Sequence, residues 1–431
     1  MTKPLVHNVK KFTITSNYGN DLSLLGGGAF SHILIFQSIF DHSVRATFEM
    51  FDSGIRVDGK DDTISMDEPE EINLVTGEKV DLTVVDENQV ELIFTGATEF
   101  TIAEVLSSAT NTMKEMHRVD LCMDDFILNE LEENFVVSRF DQKISDTVNQ
   151  VLSKITQRPI AIDPTLTELP VKGCTERPLD FVTTLCQKAQ PEKFPESAGY
   201  FLFDTYNGLN FRSIDVMFSQ EPKRRMLLTE TTKLPPGYSN KILYVEFEND
   251  ANIIDILHRG ALQNTKSRTL DPYSHVETST PHSSEDLYQG DNNLSEAKPK
   301  VGTHLGLPDK TTGNISHKMR DTGVQPTGPT LDKQLDAAQE PSFNHDEIPQ
   351  IAAKRYYQAN LFRVNIKISG DFGIFPGDVV YCDFPEISAK QTKKGLSKKK
   401  SGKYLVADVA HLIAAEGCYT KLNIIKDSII E

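Results

Sequence analysis

The sequence predicts an α+β fold that is mainly β, with a helical segment between two segments rich in strands. Three observations support this prediction. The N-terminal residues alternate apolar and polar side chains between turns, which is typical of half-buried strands. Two stretches between residues 138 and 191 repeat apolar residues at helical spacing. Residues 362–426 contain four further strand patterns separated by turns, as in a barrel or a sandwich.

Composition excludes several classes of protein. The length of 431 residues corresponds to two or three domains, and the formal charge of −17 disfavours nucleic-acid binding because phosphates need a basic surface. The longest apolar run, residues 33–40, is interrupted by Gln37 and Ser38, so no membrane span is expected. The first residues lack a signal-peptide pattern. The 5 cysteines form no CxxC pair, which argues against a disulfide framework and a zinc ribbon.

The N-terminal segment is predicted to consist of strands and turns. In SVRATFEMF, alternate residues are apolar and define a buried face, namely Val44, Ala46, Phe48 and Met50. The triple glycine at residues 26–28 is interpreted as a flexible turn and not as a phosphate loop, because no Lys-Ser/Thr pair follows it. Residues 58–91 are strongly acidic, and four of these acids suggest calcium: Asp61, Asp62, Asp67 and Glu68. Their spacing does not fit an EF-hand loop, so a solvated acidic loop is predicted.

Two helices and a hairpin follow. Residues 138–155 place an apolar stripe on one helix face, with Ser138 or Asp141 as the start. A second helix begins near Pro178, whose fixed φ suits a first helical turn. Its predicted buried face comprises Leu179, Val182, Leu185, Cys186 and Ala189. Residues 200–204 and 210–214 form the two strands of a hairpin, with Gly208 at a positive φ. Residues 348–362 suggest a later short helix.

Residues 276–345 differ from the rest of the chain. Six prolines and six glycines accompany only eleven Leu, Ile, Val or Phe residues in this stretch. Such a composition buries too little apolar surface to offset its ordering entropy, so a long flexible insertion is predicted. Five histidines lie in or beside it: His275, His282, His304, His317 and His345. No two of them have the i, i+4 spacing of a helical metal site, so a metal is not predicted.

Catalytic motifs are absent from the sequence: there is no GxSxG, HExxH, Walker or GxGxxG pattern. We therefore predict a protein that is not an enzyme, and we assign no catalytic, cofactor-binding or metal-ligating residue. The most conspicuous charge feature is a group of six lysines without an intervening acid: Lys393, Lys394, Lys398, Lys399, Lys400 and Lys403. One interpretation is a basic finger that binds phosphates or an acidic partner protein. The other, which is favoured, is a solvated hairpin tip.

Three pieces of the chain together resemble the tail hub proteins of contractile injection machines. RPLDFVTTLCQKAQ followed by AGYFLFDTYNGLNF resembles their helix-hairpin unit. FRVNIKISGDFGIFPGDVVYCDFPE resembles their late strand pair, with Gly373, Pro376 and Gly377 in the turn before Val379 and Val380. SGKYLVADVAHLIAAEGCYTKLNIIKDS is similar to their final strands. The family comprises phage baseplate hubs, phage late control proteins and the N-terminal half of type VI secretion spike proteins.

The resemblance implies two small tail-tube-like β-barrels and an α/β helix-hairpin domain. It also implies a homotrimer whose subunits close into a ring with pseudo-six-fold symmetry. The expected domains are residues 1–112 for the first barrel, 113–225 for the helix-hairpin domain, and 226–275 with 346–431 for the second barrel. The insertion occupies residues 276–345. Asp180 is expected to cap or charge the first turn of its helix. A spike is expected as a separate chain, because no needle segment follows the last strand.

The function implied is structural: the central baseplate hub at the tip of a phage contractile tail, with a channel through which DNA passes. Its expected partners are the hexameric tail tube, the trimeric spike, the baseplate wedge and the tape measure, without specific nucleic-acid binding or a membrane span. The expected location is the virion tail, after assembly in the bacterial cytoplasm. The alternatives are a type VI secretion or tailocin spike hub and, from another class, a tail-associated cell-wall hydrolase. No cofactor is expected.

Overall fold

The structure is a computed structural model. It describes residues 8–19, 21–24, 30–52, 74–111, 114–166, 168–231, 233–248, 264–270, 275, 277–283, 293–295, 312–319, 348–386, 395–397, 399–414 and 417–428. Strands dominate these residues, as the sequence predicts. Four of the cysteines are buried and Cys174 is exposed, and all five are free thiols. No helix among the described residues is long and apolar enough to cross a membrane.

The first sheet wraps around an apolar core. Its strands are β1 (Val9–Thr15), β2 (Asp21–Ser23), β3 (Phe30–Ser38), β4 (Arg45–Asp52), β5 (Lys79–Val85), β6 (Glu91–Phe94), β7 (Phe100–Asn111) and β8 (Lys114–Met123). They follow the order β2-β1-β5-β7-β8-β4-β3, with β6 beside β5. The ring of Phe12 in β1 contacts Phe30 in β3 and Phe48 in β4, so distant strands of this order face each other across the core. Val44, Ala46, Phe48 and Met50 are all buried, as predicted.

The helix-hairpin segment lies between the two large β units. It comprises α1 (Asp124–Leu128), β9 (Arg139–Lys143), α2 (Ile144–Leu152), β10 (Ile160–Ile162), β11 (Glu168–Lys172), α3 (Pro178–Cys186), β12 (Tyr200–Thr205), β13 (Gly208–Ser213) and α4 (Ile214–Phe218). Helix α3 begins at Pro178 and buries the predicted face. The hairpin β12–β13 is also confirmed, and Gly208 has a φ of +122°.

The predicted start of α2 is wrong. The helix begins at Ile144, because residues 139–143 form β9 and pair with β11. The partner strand lies some 25 residues further along the chain, so the helical periodicity around Ser138 and Asp141 carried no sign of this pairing. The apolar stripe of the helix itself is buried as expected, from Ile144 through Val148, Val151 and Leu152.

The second β unit is a closed barrel of six strands. They are β14 (Arg224–Leu228), β15 (Asn240–Glu248), β19 (Phe362–Ser369), β20 (Val379–Asp383), β21 (Gly402–Ala414) and β22 (Gly417–Lys426). The order β21-β20-β14-β15-β19-β22 returns to β21, which closes the ring. Isoleucine, valine, leucine and aromatic side chains fill its interior. Helix α5 (Ile348–Ala359) precedes β19, as the sequence predicts.

Part of the predicted insertion has regular structure. Strands β17 (Glu277–His282) and β18 (Thr312–Met319) pair with the two edges of β16 (Asn264–Leu270). The composition argument counts buried apolar surface only, whereas backbone hydrogen bonds to a neighbouring strand also order polar residues. Leu294 is buried against the C-terminal strands, and its N–H donates to Asp427. Most other residues of 276–345 lie outside the described residues, and their flexibility stays a prediction.

Candidate assembly surface

One continuous sheet runs across both β units. It contains the strands β7-β8-β4-β3-β21-β22-β19-β15, and all neighbouring pairs in this order are antiparallel. Strand direction therefore alternates from one end to the other. Since the number of strands is even, β7 and β15 at the two ends run in opposite directions. We call the side of this sheet that points away from the two apolar cores the shared face.

The shared face has an apolar strip at the junction of the two units. Leu34 and Phe36 of β3 lie opposite Leu412 and Ala410 of β21, and all four are partly exposed. Charged side chains of both signs flank this strip: Arg45, Glu49, Arg118, Asp120, Glu246, Glu248, Lys367 and Lys421. A depression of about 700 Å³ lies in the face over the second barrel. The shared face is thus amphipathic and locally concave.

Both end strands of this sheet are paired only along part of their length. The start of β7 pairs with β5 up to Ile102, whose N–H donates to the carbonyl of Glu78. Residues 103–108 have no backbone partner on that side among the described residues, and Leu106 is 50% exposed. The start of β15 pairs with β14 through residues 240–242. Residues 243–248 lack a described partner on that side, and Leu243 and Tyr244 are 48% and 59% exposed.

These two unpaired edges were not predicted from the sequence. A signal exists in KILYVEFE, where Leu243, Tyr244, Val245 and Phe247 place apolar side chains on both faces of one strand. A strand with one solvent-facing side normally shows polar residues at alternate positions. A strand that is apolar on both faces indicates that something other than the core of its own barrel covers the second face.

The two β units are joined at the middle of the shared face. Residues 32–38 of β3 pair with residues 408–414 of β21, and the Ser38 hydroxyl donates to Asp408 Oδ1 at 2.5 Å. A second contact comes from Asp86, in the turn between β5 and β6, which accepts from the Phe372 N–H at 3.0 Å. Asp86 is buried and also accepts from two N–H groups of its own turn. This acid of the segment 58–91 is therefore structural and not solvated.

A buried arginine attaches the helix-hairpin segment to the first sheet. The Arg158 guanidinium contacts Asp125 Oδ2 at 2.6 Å and Asp204 Oδ2 at 2.8 Å, and it donates to the Thr205 carbonyl. Asp204 also accepts from the N–H of Val44 at 3.1 Å. Burial raises the pKa of Asp204 to about 6, while Arg158 acts in the opposite direction. Hydrogen bonds thus satisfy the guanidinium and Asp204 Oδ2, whereas Asp204 Oδ1 is buried without a partner among the described residues.

A second buried arginine connects the other side of the helix-hairpin segment to the closed barrel. Arg355 of α5 has no exposed side-chain surface. Its Nε contacts Asp215 of α4 at 2.6 Å, and its Nη1 contacts Asp427, just after β22, at 2.9 Å. The guanidinium also lies 5.0 Å from the centre of the Phe218 ring. The Arg355 side chain therefore connects α5, α4 and the end of β22, which are distant in sequence.

The glycine-rich turn before β20 has the predicted structural role, but its two glycines act differently. Gly377 has a φ of +86°, which favours glycine. Gly373 does not have a positive φ. A Cβ on Gly373 would lie 2.8 Å from Nη2 of Arg224, which pairs with Asp371 at 3.0 Å, so a side chain at this position would displace the Arg224 guanidinium. Val379 and Val380 begin β20 and are buried.

The remaining predicted features lie at the surface or outside the described residues. Asp61, Asp62, Asp67 and Glu68 are outside them, as are His304, His345 and the lysines 393, 394 and 398. The Lys400 ammonium lies 4.1 Å from the centre of the Phe247 ring, and Lys403 Nζ lies 4.0 Å from Glu221 Oε2. Asp180 is in the first turn of α3. The described residues contain no group of three His, Cys, Asp or Glu side chains that could hold a metal ion.

His411 lies beneath the shared face and predicts a pH dependence of stability. It is fully buried on β21, 3.0 Å from the Thr420 hydroxyl and against the Phe372 ring. Burial lowers its pKa from 6.5 to about 4, although Asp371 acts in the opposite direction. The folded protein therefore favours the neutral ring. The neutral ring contributes fully to the free energy of unfolding above pH 6.5. This contribution falls by roughly 3 kcal/mol as the pH decreases toward 4.

Urea unfolding between pH 7.5 and 4 tests this dependence. We expect His411→Gln to flatten the decline of the free energy of unfolding below pH 6.5. His32→Gln, which changes a partly exposed residue of β3, is the matched control and should decline like the parent. A parallel decline in parent and His411→Gln would show that protonation of His411 does not control acid stability.

Comparisons with known proteins agree with this architecture. The sequence matches no protein-family model and no curated protein sequence. The 43 kDa tail protein of prophage MuSo2 from Shewanella oneidensis has a TM-score of 0.52 at 9% identity, over 97% of this chain and 100% of that chain. A tail protein from Neisseria meningitidis MC58 has a TM-score of 0.50 at 11% identity, over 97% of each chain. The chain therefore shares its fold with tail proteins, which confirms at the level of the fold the resemblance predicted from its sequence.

Proposed function

We propose that this protein is a structural virion protein, the central baseplate hub at the tip of a phage contractile tail. It acts as a homotrimeric adaptor between the hexameric tail tube and the trimeric spike, and its central channel lets DNA pass. Tail tube, spike, baseplate wedge and tape measure are its partners. It is assembled in the bacterial cytoplasm and resides in the tail baseplate. The domains proposed are residues 1–112, 113–225, and 226–275 with 346–431, and residues 276–345 are an insertion in the last of them.

The observation that carries this proposal is the pair of unpaired edges on β7 and β15. They lie at opposite ends of one sheet and run in opposite directions, so β15 of one copy and β7 of the next continue the antiparallel alternation. Such a contact is heterologous, and it closes into a ring when the rotation between copies allows it. Closure also removes two exposed edges that would otherwise favour aggregation.

The dimensions of such a ring suit a channel. Three copies of the sheet give about 24 strands, and at roughly 4.8 Å per strand the circumference is at least about 115 Å and the backbone diameter at least about 37 Å, since strand tilt widens a closed sheet. Inward side chains then leave an opening of at least roughly 25 Å, which is wide enough for a B-form duplex. The shared face lines this channel because both apolar cores lie on the other side of the sheet. Its charges of both signs favour passage without tight binding of DNA.

Lysines placed on each edge test the proposed junction. One variant carries Leu106→Lys and Ser108→Lys on β7, and a second carries Leu243→Lys and Tyr244→Lys on β15. The parent is expected at the mass of three chains of 48.2 kDa by light scattering at micromolar concentration. Each variant alone is expected to be monomeric, because lysines on an edge disfavour strand pairing. An equimolar mixture is expected to give a dimer, since one intact β7 edge meets one intact β15 edge.

Val137→Lys is the matched control, because Val137 is an exposed apolar residue away from both edges. It should leave the parent mass unchanged. A trimer in either edge variant would contradict the β7–β15 junction. A parent that stays monomeric, also when mixed with tail tube or spike proteins, would contradict the hub itself.

A further inference from the structure

The depression in the shared face contains a pair of lysines that lack ion partners. Lys367 of β19 and Lys421 of β22 lie directly opposite each other in the strand register. Neither forms an ion pair with a described residue. The Lys367 ammonium lies 3.7 Å from the centre of the Tyr419 ring, which fixes its position. Like charges opposite each other on a sheet are destabilising, so this pair has an electrostatic cost that a bound anion would remove.

An amide pair lies next to the lysines. Asn365 and Asn423 are the following opposite residues on the same two strands. Asn365 donates to Glu248 Oε1 at 2.7 Å, whereas Asn423 Oδ1 is shielded from solvent and has no hydrogen-bond partner. A shielded acceptor without a partner is costly, and an N–H donor from a ligand would satisfy it. The depression thus offers two cations for an anion and one acceptor for an N–H group.

The rim of the depression decides between classes of ligand. Glu246 and Asp408 line it together with the lysines, so a polyanion that follows the face would meet carboxylates. The exposed ring of Tyr244 and the side chains of Phe36 and Ala410 supply apolar contacts. A single carboxylate, a backbone N–H and an apolar side chain occur together in an extended peptide. They do not occur together in a nucleic-acid strand.

We infer that this depression is a binding site for an extended peptide segment of another protein that carries a carboxylate. The carboxylate lies between Lys367 and Lys421, a backbone N–H of the peptide donates to Asn423 Oδ1, and an apolar side chain packs on Tyr244. One subunit contains the whole site, so binding does not require the ring. Its position in a channel rests on the proposed function, and three copies would then place six lysines around a passing or resident peptide.

Fluorescence anisotropy with labelled peptides tests the site. The probe is a C-terminally amidated octapeptide of glycine, serine and leucine with a single glutamate, and the comparison ligands are its glutamine counterpart and a short single-stranded oligothymidylate. We expect the acidic peptide to bind best. The double variant Lys367→Gln and Lys421→Gln should weaken its binding by about tenfold or more, because two charge-assisted contacts are lost. Lys172→Gln, an exposed lysine of β11 outside the face, is the control and should bind like the parent.

The site does not exist if the acidic peptide fails to bind, if the double variant binds it as well as the parent does, or if oligothymidylate binds more tightly. The mass of the parent is measured on the same samples. A protein that binds the peptide through the two lysines but stays monomeric, also when mixed with tail tube or spike proteins, supports the site and contradicts the hub. A trimer that does not bind it contradicts the site alone.

Discussion

Arg355→Met is expected to lower the free energy of unfolding by about 3–5 kcal/mol, because it leaves two buried carboxylates without their cation. Asp215 and Asp427 are both fully buried, and each contacts the same guanidinium. The change also removes the contact with the Phe218 ring. Methionine keeps most of the side-chain volume, so the effect measures charge and hydrogen bonding more than a cavity. Urea unfolding followed by circular dichroism, at one protein concentration, gives the difference.

Arg45→Met is the matched control, since Arg45 pairs with Asp41 at the surface and is 53% exposed. Its cost is expected to stay below about 1 kcal/mol. Adding Asp215→Asn and Asp427→Asn to Arg355→Met should recover part of the loss, because the uncompensated charges are then absent. A loss below about 1 kcal/mol in the single variant would show that the buried network does not hold the three elements together.

Gly208→Ala is expected to destabilise the hairpin β12–β13 by about 3 kcal/mol or more, since it combines an unfavourable φ with a backbone clash. Gly208 has a φ of +122°, and a Cβ there would lie 2.1 Å from the carbonyl oxygen of Pro159. That carbonyl immediately precedes β10, which pairs with β13, so the obstacle is backbone and not a flexible side chain. Thermal unfolding and soluble yield are the measurements.

Gly237→Ala separates the two causes. Gly237 also has a positive φ, +93°, but nothing lies within 4 Å of a Cβ at that position. It should therefore lose only the conformational part, about 1 kcal/mol. Equal losses in the two variants would mean that the contact with Pro159 has no role in stability.

Local sequence patterns predicted those helices, strands and turns that can be recognised without knowing which other elements they contact. The buried face of α3, its start at Pro178 and the positive φ of Gly208 follow from single residues and short periods. The strand alternation from Val44 to Met50 is likewise local. The fold class, mainly β with a helix-hairpin segment, follows from the order of these elements along the chain.

Features that depend on distant pairing were not predictable in this way. Residues 139–143 form a strand because they pair with β11. Residues 277–282 form a strand because they pair with β16. The burial of Arg158 and Arg355 could not be predicted, because the aspartates that pair with them are distant in the sequence. The unpaired edges of β7 and β15 are defined by where β5 and β14 stop, which is a property of the assembled sheet.

The pairing of β3 with β21 also has a consequence for biosynthesis. Ser38 and Asp408 are separated by 370 residues, so a ribosome working at roughly 5–20 residues per second needs about 20–70 s to deliver the second strand after the first. Throughout that interval the nascent chain presents β3 as an open edge. The final strands complete the second barrel and cover this edge in the same step. The sheet that spans both β units is therefore a late product of translation, and a nascent chain that has not reached β21 has no shared face.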